Sequence, residues 1–380
     1  LIEAGVGREA QSGASAWGVD ERGVVGVWER SGTEATVVKE AMLYEKLADG
    51  RVHCHLCAHE CKIAPDHKGI CQVRENQEGT LYTLVYGRTI ARHIDPVEKK
   101  PLLHFYPGSK AYSVATPGCN FRCKWCQNAD ISQMPREQHL MMGSEATIQE
   151  IVEAAQGNRC RSIAYTYTEP TIFFEYSYDI AQSAHEEGLA NIYVTNGFMT
   201  EEMLETMHPH LDAANVDLKA FRDETYRENV GARLEPVLDS LRKMKELGVW
   251  VEVTTLVIPD LNDDPGELRD IAKFIAGDVG PETPWHISRF RPAYKMQDRP
   301  PTEIGRLVEA QAIGEEAGLR YVYVGNVVGE TNTVCHECGA TVIERTGYRV
   351  VENRATDDGS CPSCGTAVAG VGLGPEREGA

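Results

Sequence analysis

Positive charge is what this chain most lacks. Its 38 lysines and arginines stand against 57 aspartates and glutamates, a net charge of −19 over 380 residues. Phosphate recognition needs a basic surface, so no nucleic-acid partner is expected. The acidic excess reads as a solvated surface that aids solubility. Long apolar runs are missing too. None approaches the roughly 18 residues that span a bilayer, so no membrane partner is expected, and no charged-then-apolar signal peptide opens the chain. The expected location is cytoplasmic, although the first residue is Leu1 and not Met. There is also no P-loop, no GxGxxG fingerprint after a strand and no Ser-His-Asp pattern, so the usual competing chemistries have no anchor.

Cysteine, by contrast, is plentiful. Of the 12 cysteines, all but Cys160 fall into three groups with metal-ligand spacing. In a reducing compartment such groups read as metal sites and not as disulfides, while Cys160 reads as a small buried apolar residue. The central group is Cys119-x-x-x-Cys123-x-x-Cys126, on a loop directly after the strand-like run 111–116. So short a loop can aim three thiolates at one point and offers no fourth. A [4Fe–4S] cluster normally takes four, so three leave one iron open, and an open iron is a place for chemistry. The plain alternative is a zinc site short of one ligand.

The first group, Cys54, Cys57, Cys61 and Cys71, sits among His53, His55, His59 and His67. Iron–sulfur clusters and zinc both accept four thiolates, so spacing alone does not choose between them. The last group pairs Cys335-x-x-Cys338 with Cys361-x-x-Cys364, each knuckle followed by glycine (Gly339, Gly365). That is the pattern of a zinc ribbon, with a second iron–sulfur cluster as its rival. The β-rich stretch between the knuckles (341–344, 348–352) is too small to bury a core alone, so a metal would supply its folding energy.

From residue 111 the pattern alternates strand and helix. Strands are predicted at 111–116, 162–168, 191–196, 213–219, 249–257 and 285–290, with 320–326 as one more at the edge. Helix punctuation lies between them: Thr147 with Glu150 as a capping box, Asp264-Pro265 as a cap with a first-turn proline, and Gly188, Gly248 and Gly318 as stops. Over 236–247 the stripe Val237, Leu238, Leu241, Met244 and Leu247 has helical period. Six βα units in a row imply a parallel sheet with right-handed crossovers, either open and doubly wound or a partial barrel. Polar residues gather at the C-terminal ends of nearly every strand, which favours the barrel. The expected class is α/β, a (βα)6 partial barrel of TIM type. The expected segments are 1–50 (an extension with a short strand at 24–28 and a helix over 35–47), 51–80 (Cys-rich), 81–328 (barrel), 329–372 (zinc ribbon) and 373–380 (disordered tail).

The run Pro117-Gly118-Cys119-Asn120-Phe121-Arg122-Cys123-Lys124-Trp125-Cys126-Gln127-Asn128 resembles the cluster loop of radical S-adenosylmethionine (SAM) enzymes, especially the group that includes pyruvate formate-lyase activating enzyme. Over nearly the whole chain, Val73-Arg74-Glu75-Asn76 included, the sequence is similar to the radical SAM component of the AmmeMemoRadiSam system. The resemblance implies a [4Fe–4S] cluster on Cys119, Cys123 and Cys126, with SAM chelating the open iron and cleaved to a 5'-deoxyadenosyl radical. It implies SAM contacts at Trp125, Gln127, Glu169, Asn196, Asp217, Lys219 and His286. Many family members carry Gly-Gly-Glu where this chain has Tyr167-Thr168-Glu169, so the glycines are replaced and the acid is kept. Arg289, Arg291 and Tyr294 are of a type to meet an anionic substrate.

The implied partners are an electron donor such as ferredoxin or flavodoxin and proteins of the Memo type. Because such a reaction needs a reductant, Cys54, Cys57, Cys61 and Cys71 lean towards a second iron–sulfur cluster. The leading reading is therefore hydrogen abstraction from an unidentified substrate. Narrower is a glycyl-radical activase, and of another class is a non-catalytic metal-binding interaction module.

Overall fold

The computed structural model describes residues 38–375 apart from 328 and 330, and the strand backbones at 16–19, 24–28 and 37. Its centre is an eight-stranded sheet: β1 (Ala91–Pro96), β2 (Lys110–Ala115), β3 (Ser162–Tyr165), β4 (Ala190–Thr195), β5 (Ala213–Asp217), β6 (Trp250–Val257), β7 (Trp285–Arg289) and β8 (Val322–Gly325). The strands lie side by side in chain order. β1 is antiparallel to β2, and every later pair is parallel. Six helices make the crossovers: α1 (Ile148–Gly157), α2 (Phe174–Glu186), α3 (Glu201–Met207), α4 (Glu235–Glu246), α5 (Pro265–Phe274) and α6 (Ile304–Glu316). Each predicted strand falls within a few residues of an observed one.

Local chemistry explains these elements. All four residues of β3 are buried, as expected of a parallel strand covered on both faces. α1 starts in the full capping box, with Thr147 accepting from the Glu150 N–H and Glu150 accepting from the Thr147 N–H. Asp264 caps α5 through the N–H groups of Gly266 and Glu267. Val237, Leu238, Leu241 and Met244 are the buried stripe of α4, each contributing roughly 1.5–3 kcal/mol relative to exposure.

The N-terminal part departs from expectation. Among residues 35–47, those described (37–47) do not form a helix. Val37–Glu40 and Tyr44–Lys46 are strands, the first pairing with Val24–Trp28 on one side and Thr80–Thr83 on the other. Leu43 lies between them at φ 55°, a conformation that no right-handed helix admits. The β-branched Val38 fits a strand, and available sheet edges overrode a short helical stripe. The short strand at 24–28 is present. Val37–Glu40 lies before the expected boundary at residue 50 and belongs to the same five-stranded antiparallel sheet as Arg74–Gln77 and Thr80–Thr83, which lie after it.

At the other end, Thr333–Val334, Thr341–Thr346 and Arg349–Asn353 form a small antiparallel sheet around the last four cysteines. Its core is shared. Val342, Ile343, Val368 and Leu373 pack with Leu103, Tyr321 and Tyr323 of the main body. Leu373, expected in a disordered tail, is 3% exposed; of that tail, residues 376–380 lie outside the described set.

One buried carboxylate fixes this docking. Glu252 on β6 accepts from the Leu103 N–H (3.0 Å), the His104 N–H (2.8 Å), Trp250 Nε1 (3.1 Å) and His286 Nε2 (2.7 Å). His104 in turn pairs with the Ala369 carbonyl and the Tyr323 hydroxyl, both at 2.6 Å. Replacing Glu252 by Ala strands four donors in a dry environment and is expected to cost about 3 kcal/mol. Urea denaturation of the variant checks this, and a loss below about 1 kcal/mol contradicts it.

Candidate active site

The C-terminal ends of the parallel strands open onto one pocket of ≈ 330 Å³. Cys119, Cys123 and Cys126 reach it from the loop after β2. Glu169 comes from beyond β3, Asn196 from β4, Asp217 and Lys219 from β5, Thr254 and Leu256 from β6, and Ser288 from β7. A parallel sheet concentrates function at this edge because every crossover leaves it by a loop.

The thiol loop is held from several sides. The Arg122 and Lys124 N–H groups donate to the carbonyls of Val230 (2.9 Å) and Asn229 (3.1 Å), and Gln133 and Arg136 donate to the Phe121 carbonyl. Donors also face the sulfurs. The Phe121 N–H lies 3.3 Å from Cys119 Sγ, Asn196 Nδ2 lies 3.9 Å from it, and the Ser132 hydroxyl lies 3.3 Å from Cys126 Sγ. Burial pushes the Cys123 thiol up to about 12 and raises that of Cys119 as well. Without a bound cation these thiols stay protonated, whereas metal ligation would deprotonate them.

Glu169 is buried, and its carboxylate is already busy. It accepts from the Thr171 N–H and hydroxyl, from the Thr195 hydroxyl (2.7 Å) and from the Asn196 N–H (2.8 Å). It thus caps the turn Pro170–Phe173 and ties the end of β3 to β4. Burial raises its pKa against the pull of those bonds. Asn196 Nδ2 then donates to Asn120 Oδ1 at 2.8 Å, beside Cys119. Asp217 accepts from Lys219 at 2.9 Å, and both line the pocket. Burial works against the Lys219 charge, but the Asp217 carboxylate outweighs it and holds its pKa above the ordinary value.

Trp125, Gln127, Glu169, Asn196, Asp217 and Lys219 all line this pocket. His286 does not line this pocket. It points to the same face as Ser288, two residues deeper on β7, where Glu252 and a stacked Tyr323 engage it. The three residues offered for an anionic substrate also lie outside the lining. Arg289 donates to the Thr302 carbonyl, Tyr294 bonds Glu137, and Arg291 is exposed. Sequence reasoning missed Asn120 and Asn128, which flank the thiols, and Lys99 and Lys100, which no motif marks.

The other thiol groups are assembled too. Among the described residues, two sets of three or more ligand atoms lie within 4.8 Å of one another: Cys335, Cys338, Cys361 and Cys364, and the exposed Glu45 with His53 and His55. In the first, Cys335 and Cys364 are 3.6 Å apart and Cys338 and Cys361 are 3.7 Å apart. Cys54, Cys57, Cys61 and Cys71 line a common cavity. Cys160 is buried, as expected of an apolar residue.

Residues 113–275 match the model of the radical SAM superfamily. An uncharacterized protein of Methanocaldococcus jannaschii is 44% identical over 334 residues, covering 87% of this chain and 99% of its own length. A putative glycyl-radical enzyme activating enzyme of the same organism is 26% identical over 172 residues, 44% of this chain and 64% of that protein. Pyruvate formate-lyase-activating enzyme of Clostridium pasteurianum is 25% identical over 167 residues, 42% and 66% respectively. The chain thus spans just under two thirds of those two activating enzymes. It belongs to the radical SAM superfamily, and membership implies an iron–sulfur cluster and SAM as cofactors.

The replaced glycines have a structural answer. Tyr167 keeps a glycine-like φ of 66°. Its hydroxyl donates to Asp95, Lys100 Nζ sits 4.4 Å above its ring, and its carbonyl accepts from Asn128 Nδ2 at 2.8 Å. Side-chain anchoring therefore holds a backbone that left-handed strain opposes. Once the anchor is gone only the strain remains, so Tyr167→Gly should be more stable than Tyr167→Ala by about 1 kcal/mol. Denaturant midpoints of the pair test this, and equal stabilities contradict it.

Proposed function

We propose that this pocket cleaves SAM reductively and directs the resulting radical at a hydrogen atom of a substrate. The observation that carries the reading is one buried and two half-buried thiols, with no fourth cysteine among the described residues that line the cavity, beside Asn196, Asp217 and Lys219. The donor set fits the group. Cys119, Cys123 and Cys126 would hold three corners of a [4Fe–4S] cluster, and the Phe121 N–H, Asn196 amide and Ser132 hydroxyl would stabilise its sulfurs. When bound, the cluster supplies one low-potential electron to the SAM sulfonium. Asn196, Asp217 and Lys219 supply the polar wall that orients the ligand, and Trp125 and Leu256 supply apolar surface. Glu169 positions Asn196 through its N–H, whichever SAM group lies nearest. His286 takes no part, because Glu252 and Tyr323 already hold it.

The parallel sheet is read as a (βα)6 partial barrel with β8 at its edge. Within the superfamily, the sequence resemblance favours the radical SAM component of the AmmeMemoRadiSam system, with a ferredoxin or flavodoxin as donor and a Memo-type protein as companion. No described helix is long and apolar enough to cross a membrane, in keeping with cytoplasmic work. A second reading, supported by the likeness to the activating enzymes, is a glycyl-radical activase acting on another protein's backbone glycine.

Anaerobically reconstituted protein with SAM and a strong reductant is expected to form 5'-deoxyadenosine slowly even without substrate. Cys123→Ala should lower that rate to background, and turnover that survives in the variant contradicts the assignment. Glycine-specific radical transfer to a partner protein would select the activase reading.

The last four thiols are read as a structural zinc site. Tetrahedral zinc with bonds of about 2.3 Å sets sulfurs roughly 3.8 Å apart, which the observed 3.6 and 3.7 Å pairs match. Purified full-length chain is expected to carry one zinc there, lost in Cys361→Ser together with a lower melting temperature. Iron retained at these thiols in place of zinc contradicts it.

A further inference from the structure

Four thiols, a buried arginine and a shared backbone layer point to a second redox centre. Cys54, Cys57, Cys61 and Cys71 line one cavity with His59 and Arg74. No three of these thiols lie within 4.8 Å of one another as the last four cysteines do, and neither do Cys119, Cys123 and Cys126. One tetrahedral ion would draw four sulfurs nearly into contact. A cubane binds each thiolate at a separate iron corner and so needs the wider set.

Arg74 adds an independent sign of an anion. It is 1% exposed, and its Nη2 donates to the Met42 carbonyl and to Glu175, both at 2.7 Å. Its Nε and Nη1 are buried without a hydrogen-bond partner among the described residues. Buried guanidinium donors are rarely left unpaired, and the sulfurs of an anionic cluster would accept them.

The cavity also backs directly onto the catalytic loop. Gly118 adopts φ +107°, and a Cβ there would meet Val73 at 2.8 Å and the Cys71 carbonyl at 3.5 Å. His59 Nε2 lies 2.9 Å from the Asn120 carbonyl. Arg136 Nη2 donates to both the Ile70 carbonyl (2.9 Å) and the Cys119 carbonyl (3.3 Å). One layer of backbone separates Cys71 from Cys119.

We propose that Cys54, Cys57, Cys61 and Cys71 hold a second [4Fe–4S] cluster that relays electrons to the site at Cys119. A low-potential one-electron donor protein of the iron–sulfur or flavin class is oxidised by one electron as it reduces this cluster. The cluster is reoxidised as it passes the same electron across the Cys71–Gly118 contact. No bond is made or broken in the relay. Its destination rests on the proposed radical reaction; the presence of iron does not.

The triple variant Cys119→Ala, Cys123→Ala, Cys126→Ala, purified anaerobically as the full chain, separates the two. The proposal expects about four irons and four acid-labile sulfides per chain, with zinc confined to the last four cysteines. Arg74→Gln in that background is expected to lower the reduction potential of the retained cluster, because two sulfur-facing donors are removed. If the triple variant folds poorly, metal content of the wild-type chain decides instead: about eight irons and one zinc support the second cluster. Four irons and two zincs overturn it, as does a triple variant that holds zinc alone. Iron in the triple variant without SAM cleavage by the wild type would keep the cluster and remove the radical reading.

Discussion

In the proposed reading, the constraint on which this molecule turns is that three thiols share one cavity and leave one side of it open. A loop of about ten residues supplies them, and it has no regular structure to hold its own shape. The surrounding chain does that. The carbonyls of Asn229 and Val230 take the N–H groups of Lys124 and Arg122, Gln133 and Arg136 pin the Phe121 carbonyl, and Asn196 reaches Asn120. Preorganisation of this kind keeps a reactive group where its ligand will arrive.

Buried carboxylates extend the same logic outward. Glu175 on α2 accepts from Arg74 and from the Met42 N–H, and so fastens the Cys-rich segment to the helical layer. Glu252 on β6 gathers donors from Leu103, His104, Trp250 and His286 beneath the C-terminal unit. Glu98 accepts from the Gly108 N–H and faces Arg345 of that unit at 3.5 Å. Each appended segment thus meets the sheet through a charge fully withdrawn from water. Such contacts tolerate no loss of one partner, which suits joints that must not slip. Both described thiol-bearing segments become parts of one body with the sheet, although their thiol groups look self-contained in sequence.

Much of this architecture is legible in the residues alone. The βα alternation can be read because covered parallel strands are apolar runs and the helices carry explicit caps at Thr147 and Asp264. The thiol loop, Glu169, Asn196, Asp217 and Lys219 stand out because each follows the end of a strand or closes it. Depth along a strand is not legible. His286 and Ser288 share a face, and only the sheet register decides that Ser288 reaches the pocket while His286 meets Glu252. Residues 35–47 mislead because a short apolar stripe fits a helix or two strands, and the choice lies with Thr80–Thr83, far along the chain. Lys99 and Lys100 give no sign, since their place at the pocket depends on how the β1–β2 connection folds back. Tyr167 looks like a departure from pattern, yet its backbone keeps the glycine geometry.

In the proposed reading, the group held by Cys119, Cys123 and Cys126 has a corner that SAM can reach. Electron paramagnetic resonance of the anaerobically reduced chain, with and without SAM, tests it most directly. SAM is expected to change the signal of the cluster on these thiols, and the change should be absent in Cys123→Ala. A reduced cluster at Cys119, Cys123 and Cys126 whose spectrum ignores saturating SAM would contradict it.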